Sequence, residues 1–192
     1  VKQWWLSRIY TDKIRNAYSN GLFHIHNLGH LTTYCVGWNL EDLQKIGFKG
    51  APGKQTSGPA KHFRSMLGQI YNFMFTLQGE AAGAQAFSNF DSYLAPFVSY
   101  DGLSQDDVDQ GIQEFLFNMN VATRVGGQPP FTNITLDQTI PKFMEDDYTI
   151  RGGEYTDDTY GSFDKEISMI NEAWWKARIK GDFVGRVQPF PI

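Results

Sequence analysis

Residues 24–38 read HIHNLGHLTTYCVGW, and they hold three of the chain's four histidines together with its single cysteine. The segment from Leu22 to Leu28 alternates, with Phe23 and Ile25 on one face and His24 and His26 on the other, the period of a strand. After Gly29, the run from Leu31 to Leu40 is rich in Thr, Tyr, Val and Trp and predicts a second extended segment. Upstream, Trp4, Trp5, Ile9, Ile14 and Ala17 recur at roughly helical spacing, and Gly21 closes that helix. The stretch is thus a strand region opening out of a helix.

Helix returns further on. Residues 49–60, KGAPGKQTSGPA, form a Gly/Pro/Ser loop. Phe63, Leu67, Ile70, Met74 and Leu77 then predict a helix from His62 to about Leu77. It is expected to continue, with a break near Gly79, through EAAGAQAF, where small residues let another helix approach closely. Ser104 and Asp107 have the spacing of a capping box. Val108, Ile112, Phe115, Leu116 and Met119 follow as a core stripe. FTNITLD reads as a strand, and a last helix is predicted from Thr156 to Lys180. Its inward residues are Phe163, Ile167, Ile170, Trp174 and Ala177, with Gly181 as its C-cap. Strands separated by long helices argue for an α/β fold with parallel strands. The three or four strands are few for a closed barrel and suggest part of one.

The composition narrows the function. With 192 residues and 41% hydrophobic content, one domain is the expectation. The mean hydropathy of −0.39 is that of a soluble globular chain. A net charge of −4 without a Lys/Arg block gives no electrostatic case for nucleic acid or an anionic membrane. A single cysteine cannot form an internal disulfide and fits a reducing compartment, so a cytoplasmic location is expected. No signal-peptide pattern and no apolar run near eighteen residues is present. The chain opens on Val1, directly into a helical pattern, and stops at RVQPFPI, which resembles a strand entering a loop. Both ends predict a fragment of a larger protein.

Two constellations carry chemistry. His24 and His26, two apart on a strand, could seed a Zn²⁺ site of a metal-dependent hydrolase, but further ligands are needed and only His30 and His62 remain. They could equally be hydrogen-bonded in a polar pocket or line a substrate. Cys35 shares a strand face with Thr33 and Gly37, and is either a small buried hydrophobe or a thiol opening on a pocket. The second constellation is Asn118 to Asn133, NMNVATRVGGQPPFTN. It joins glycine-permitted bends, several amides and Arg124 at a helix-to-strand junction, suited to phosphate or sugar hydroxyls or to a purely structural turn.

Taken in order along the chain, GLFHIHNLGHLTTYCVGW, PAKHFRSMLGQIYNFMFTLQGEAAGAQAFSNFDSYLAPF, FNMNVATRVGGQPPFTNITLD and YGSFDKEISMINEAWWKARIKGD with RVQPFPI resemble the anaerobic (class III) ribonucleoside-triphosphate reductases, a glycyl-radical family. The resemblance implies an α/β barrel of ten strands in two five-stranded halves, of which residues 1–192 are the first half. The thiyl finger loop and the C-terminal glycyl-radical domain would then lie outside the chain. It implies an oxidoreductase acting on ribonucleoside triphosphates as a homodimer, with ATP and dNTP effectors. A radical-SAM activating enzyme would generate the glycyl radical, and formate or a redoxin would supply electrons.

No metal is implied in this segment. Cys35 matches the family's reductant-side cysteine. His24, His26 and Asn27 match its HIHDL block, and with Arg124, Gly126, Gly127 and Gln128 they are expected at the substrate. Gln69, Asn72, Glu80 and Gln85 fall in the region implied to pair subunits and bind the effector. Asn27 stands where the family usually has Asp. Tyr34 stands where formate-using members have Asn, which favours a redoxin. The alternatives are a remnant or split subunit that only dimerises or binds dNTP, and the HxH hydrolase. The fragment alone is expected to be inactive.

Overall fold

Three short strands, β1 (Val36–Trp38), β2 (Gln85–Phe87) and β3 (Thr132–Ile134), lie side by side in chain order, all parallel. They come from a computed structural model that describes residues 1–30, 32–50, 52–53, 55–123 and 126–192. Parallel neighbours need long crossovers. These are supplied by α3 (Leu40–Ile46) and α4 (Phe63–Leu77) between β1 and β2, and by α5 (Phe90–Tyr100) and α6 (Gln105–Met119) between β2 and β3. Ahead of the sheet stand α1 (Lys2–Arg8) and α2 (Asp12–Ser19). After it come an antiparallel hairpin, β4 (Tyr148–Arg151) and β5 (Glu154–Thr159), and the long α7 (Asp164–Lys180). Ile192 exchanges backbone hydrogen bonds with Thr132 and Ile134, at 3.0 and 3.2 Å, along the outer side of β3.

The core is helical. Phe63, Met66, Ile70 and Met74 of α4, Phe90, Leu94 and Phe97 of α5, and Ile167, Ile170 and Trp174 of α7 are buried together. The α6 stripe Val108, Ile112, Phe115, Leu116 and Met119 joins them in full, as its spacing predicts. Each such side chain contributes roughly 1.5–3 kcal/mol on burial. The Ser104–Asp107 capping box forms in both directions and fixes where α6 begins. Gly181 closes α7 with a positive φ of 71°.

Five expectations are corrected. Leu22–Leu28 forms bends and a turn and not a strand, and from Thr32 to Leu40 the extended residues are a single bridge at Thr33 and β1, before α3 starts; Leu31 lies outside the described residues. EAAGAQAF does not continue α4 but carries β2, the central strand between β1 and β3. The last helix starts at Asp164, since Thr156 belongs to the hairpin. Gly152 and Gly153, at φ 64° and 90°, make that hairpin's two-residue turn. The first helix is two, broken at Ile9–Thr11.

One polar hub ties the layers. Asp91 is fully buried. Its carboxylate accepts hydrogen bonds from Ser92 N (3.1 Å), Asp137 N (2.8 Å), Gln138 N (2.9 Å) and Asn171 Nδ2 (2.7 Å). Those donors sit at the start of α5, after β3 and on α7. Burial first, and then the nearby carboxylates of Glu41 and Asp147, raises the phenol of Tyr160 and pushes that of Tyr93 up to about 12, so both stay neutral. Replacing Asp91 with Ala strands four donors, so D91A is expected to lose roughly 3 kcal/mol or more. D91N, which keeps an acceptor oxygen, is expected to lose less. Urea unfolding should show both as a lower midpoint at unchanged slope.

Candidate active site

The site gathers at the heads of the parallel strands, where the chain enters β1, β2 and β3. Cys35 immediately precedes β1 and its thiol is exposed. The Ala84 backbone N–H, just before β2, donates to Cys35 Sγ at 3.4 Å. Gln85 N in turn donates to Phe131 O, just before β3, at 3.0 Å. Below the thiol the floor is fixed by a buried amide. Gln85 Nε2 donates to Met74 O at 2.8 Å, and its Oε1 accepts from Trp38 Nε1 at 3.0 Å.

A cleft of about 660 Å³ opens beside this floor, lined by Asn27, His30, Thr32, Gln78, Gly79, Ala81, Ala82 and Thr123. Its wall is mostly neutral and polar: hydroxyls, amides and one imidazole. Thr123 Oγ1 donates to Gln78 Oε1 at 3.3 Å, which joins the end of α6 to the end of α4 across the opening. Such a wall can hydrogen-bond the hydroxyls of a sugar without a fixed charge.

The predicted residues divide. Asn27 lines the cleft and adopts φ 51°, a left-handed corner that Asn tolerates better than most side chains. His26 is exposed, packed edge-to-face on Tyr34 with ring centroids 4.5 Å apart. His24 turns away, toward a separate hollow shared with Gln3, Leu6 and Tyr18. Because the segment is a turn, the two imidazoles do not share a strand face; their centroids are 5.9 Å apart. Among the described residues no three His, Cys, Asp or Glu side chains group around a possible metal position. Gly126 and Gly127 are exposed, at φ 91° and 75°, and Gln128 is exposed beside them. Arg124 lies outside the described residues.

In the second group, Gln69 is buried, with its Nε2 on Ser57 Oγ (2.9 Å) and Gly58 O. Asn72 and Glu80 are exposed. Gln85 lies on a strand rather than a helix, with its amide spent inside the fold. The cleft residues that sequence reasoning passed over are Thr32, Gln78 and Thr123, with His30 considered only as a metal ligand. Gln78 is the C-cap of α4, whereas Thr32 and Thr123 lie in irregular segments that carry no periodic signal.

An exposed thiol at the heads of parallel strands, beside a polar cleft, is the arrangement that this α/β protein presents. A family model described as anaerobic ribonucleoside-triphosphate reductase matches residues 1–192, so the chain belongs to that family. No match is found among the curated proteins. Solved structures of the anaerobic ribonucleotide reductase from Thermotoga maritima share the fold. One, in complex with dATP and CTP, is 22% identical with a TM-score of 0.66, over 88% of this chain and 30% of that one. Another, with dATP bound in the specificity site, gives 22% and 0.65, over 86% and 29%. A third, with citrate in the active site, gives 20% and 0.67, over 90% and 32%. The chain therefore spans about 30% of the length of the reductase structures it matches. Among the described residues, no helix is long and apolar enough to cross a membrane.

The exposed position of Cys35 has a direct readout. Ellman's reagent should titrate the chain's one thiol without denaturant. A titre that appears only after unfolding would place the sulfur inside.

Proposed function

We propose that this chain is the reductant-side wall of the substrate pocket of an anaerobic ribonucleoside-triphosphate reductase, with Cys35 as the hydrogen-donating thiol. The observation that carries the reading is the placement of the only cysteine, exposed at the head of β1 next to a cleft of neutral polar groups. Family membership supplies the reaction: replacement of the ribose 2′-hydroxyl by hydrogen. The rest of the enzyme supplies a glycyl radical, made by a radical-SAM activase, and the thiyl that removes the 3′-hydrogen. In this chain, Cys35 gives its one S–H hydrogen atom to the C2′ radical that remains after water leaves and becomes a sulfur radical. An external reductant then supplies two electrons and two protons, which return the sulfur to the thiol and reduce the 3′-ketone, and the other thiol gives back the 3′-hydrogen. Asn27, His30, Thr32 and Thr123 orient the sugar through its hydroxyls. The glycine bend at Gly126 and Gly127 leaves backbone room for the triphosphate, with Arg124 as its charge partner.

Asn72 and Glu80, exposed on and just after α4, belong to the surface that pairs subunits in a homodimer and takes the ATP or dNTP effector. A complete enzyme of this kind works in an oxygen-free cytoplasm, and the chain alone is inactive because neither radical-bearing group lies within it. The dATP and CTP held by the Thermotoga maritima enzyme support nucleotide ligands for this chain too.

In the complete enzyme, C35A should lower deoxynucleotide formation by roughly two orders of magnitude or more. Nucleotide affinity should hold, and tritium should still exchange from a 3′-labelled substrate, because that step needs only the other thiol. Undiminished turnover in C35A would remove Cys35 from the chemistry. The reductant is tested separately. With Tyr34 beside the thiol, a dithiol protein with its own reductase should sustain turnover and formate alone should not. Turnover on formate alone would reverse that assignment.

A further inference from the structure

The pairing of the segment before β1 with the segment before β2 is not regular. Thr33 pairs with Ala81 and Val36 with Gln85, so three residue steps on one side face four on the other. A bulge of one extra residue, rare between parallel strands, lies at Ala82–Ala84, directly opposite Tyr34 and Cys35. Backbone bonds resume on both sides: Ala82 N to Thr33 O at 3.0 Å, Gly83 N to Tyr34 O at 2.6 Å, and Val36 N to Ala84 O at 3.0 Å. The bulge leaves the Ala84 N–H without a backbone acceptor, and Cys35 Sγ takes it at 3.4 Å. The approach is possible only at glycine. A Cβ on residue 83 would sit 2.9 Å from Cys35 Sγ and 2.9 Å from Tyr34 O.

We propose that this bulge aims the Cys35 thiol and that Gly83 is a positioning residue for it. The inference rests on the reading of Cys35 as hydrogen donor and adds how its sulfur is held. The hydrogen bond from Ala84 selects one direction for the sulfur, and the missing Cβ of Gly83 leaves the space it occupies. Bulges re-aim single side chains in this way.

The test uses the purified chain and reads the thiol, not turnover, so it stands or falls separately from the Cys35 activity experiment. G83A should change the second-order rate of Cys35 with N-ethylmaleimide by at least about threefold, in either direction. It should also move the Ala84 amide proton resonance. G37A is the control, because a Cβ there meets nothing within 4 Å; it should alter neither. A Gly83 that merely packs would lower the melting temperature and leave the alkylation rate as in the wild type, and that result overturns the proposal. Should G83A not fold, C35A serves. It should move the Ala84 amide resonance while that of Gln85 stays, and an unmoved Ala84 amide overturns the proposal equally.

Discussion

The fold turns on a buried carboxylate that meets no cation among the described residues. Asp91 lies wholly inside the protein, and an unpaired buried charge is ordinarily prohibitive. Here the charge is met by four N–H donors, three from backbone and one from Asn171. Those donors come from elements far apart in the chain: the start of α5, the turn after β3, and α7. Asp137, whose amide is one of the donors, turns its own carboxylate to Asn89 Nδ2 (2.9 Å) and Ser92 Oγ (2.6 Å). Two left-handed residues, Asn89 at φ 55° and Gln138 at φ 66°, make the required corners. Because the three strands are only three residues each, their ladders hold little by themselves. The hub locks the tail ends of β2 and β3, which leaves their heads free to carry the site.

That division of labour reverses the usual habit of open parallel sheets, in which ligands gather beyond the carboxyl ends of the strands. In this chain the carboxyl ends are filled with a structural polar network. The thiol and the cleft lie at the amino ends, where incoming segments make turns. Asn27 illustrates the trade: its left-handed backbone sets the corner of the cleft, and its side chain remains neutral. An amide there offers the shape of a carboxylate without its charge.

Much of this was legible from residues. The α6 stripe and its capping box read correctly, because a 3.6-residue period over fifteen positions is a strong signal. The α4 stripe, the FTNITLD strand and the C-cap at Gly181 read correctly for similar local reasons. The failures share another cause. GAQAF forms a strand because it is clamped between two neighbours, a tertiary demand that its helix-loving alanines hide. In HIHNLGH the alternation of apolar and polar side chains is genuine, but the backbone turns at Asn27 and is no strand. The hairpin around Gly152–Gly153 goes unread, and the end of its second strand from Thr156 is taken into the helix, because its strands are polar and short, although two adjacent glycines are a hairpin signal. Around the site, Cys35 was visible by its scarcity. Gln78 and Thr123 were not, since their contact across the cleft depends on where two helices end.

The amide of Gln85 has a consequence on the timescale of descent. It bridges Trp38 Nε1 and the carbonyl of Met74, so one side chain answers to two others of very different freedom. Met74 contributes only backbone, and its own side chain can drift among residues of similar volume. Positions 38 and 85 have no such latitude: a lineage that alters either one passes through an ancestor with a stranded polar group, at a cost of about 1–3 kcal/mol. Tryptophan and glutamine at these places therefore constrain each other's replacement more than either constrains Met74.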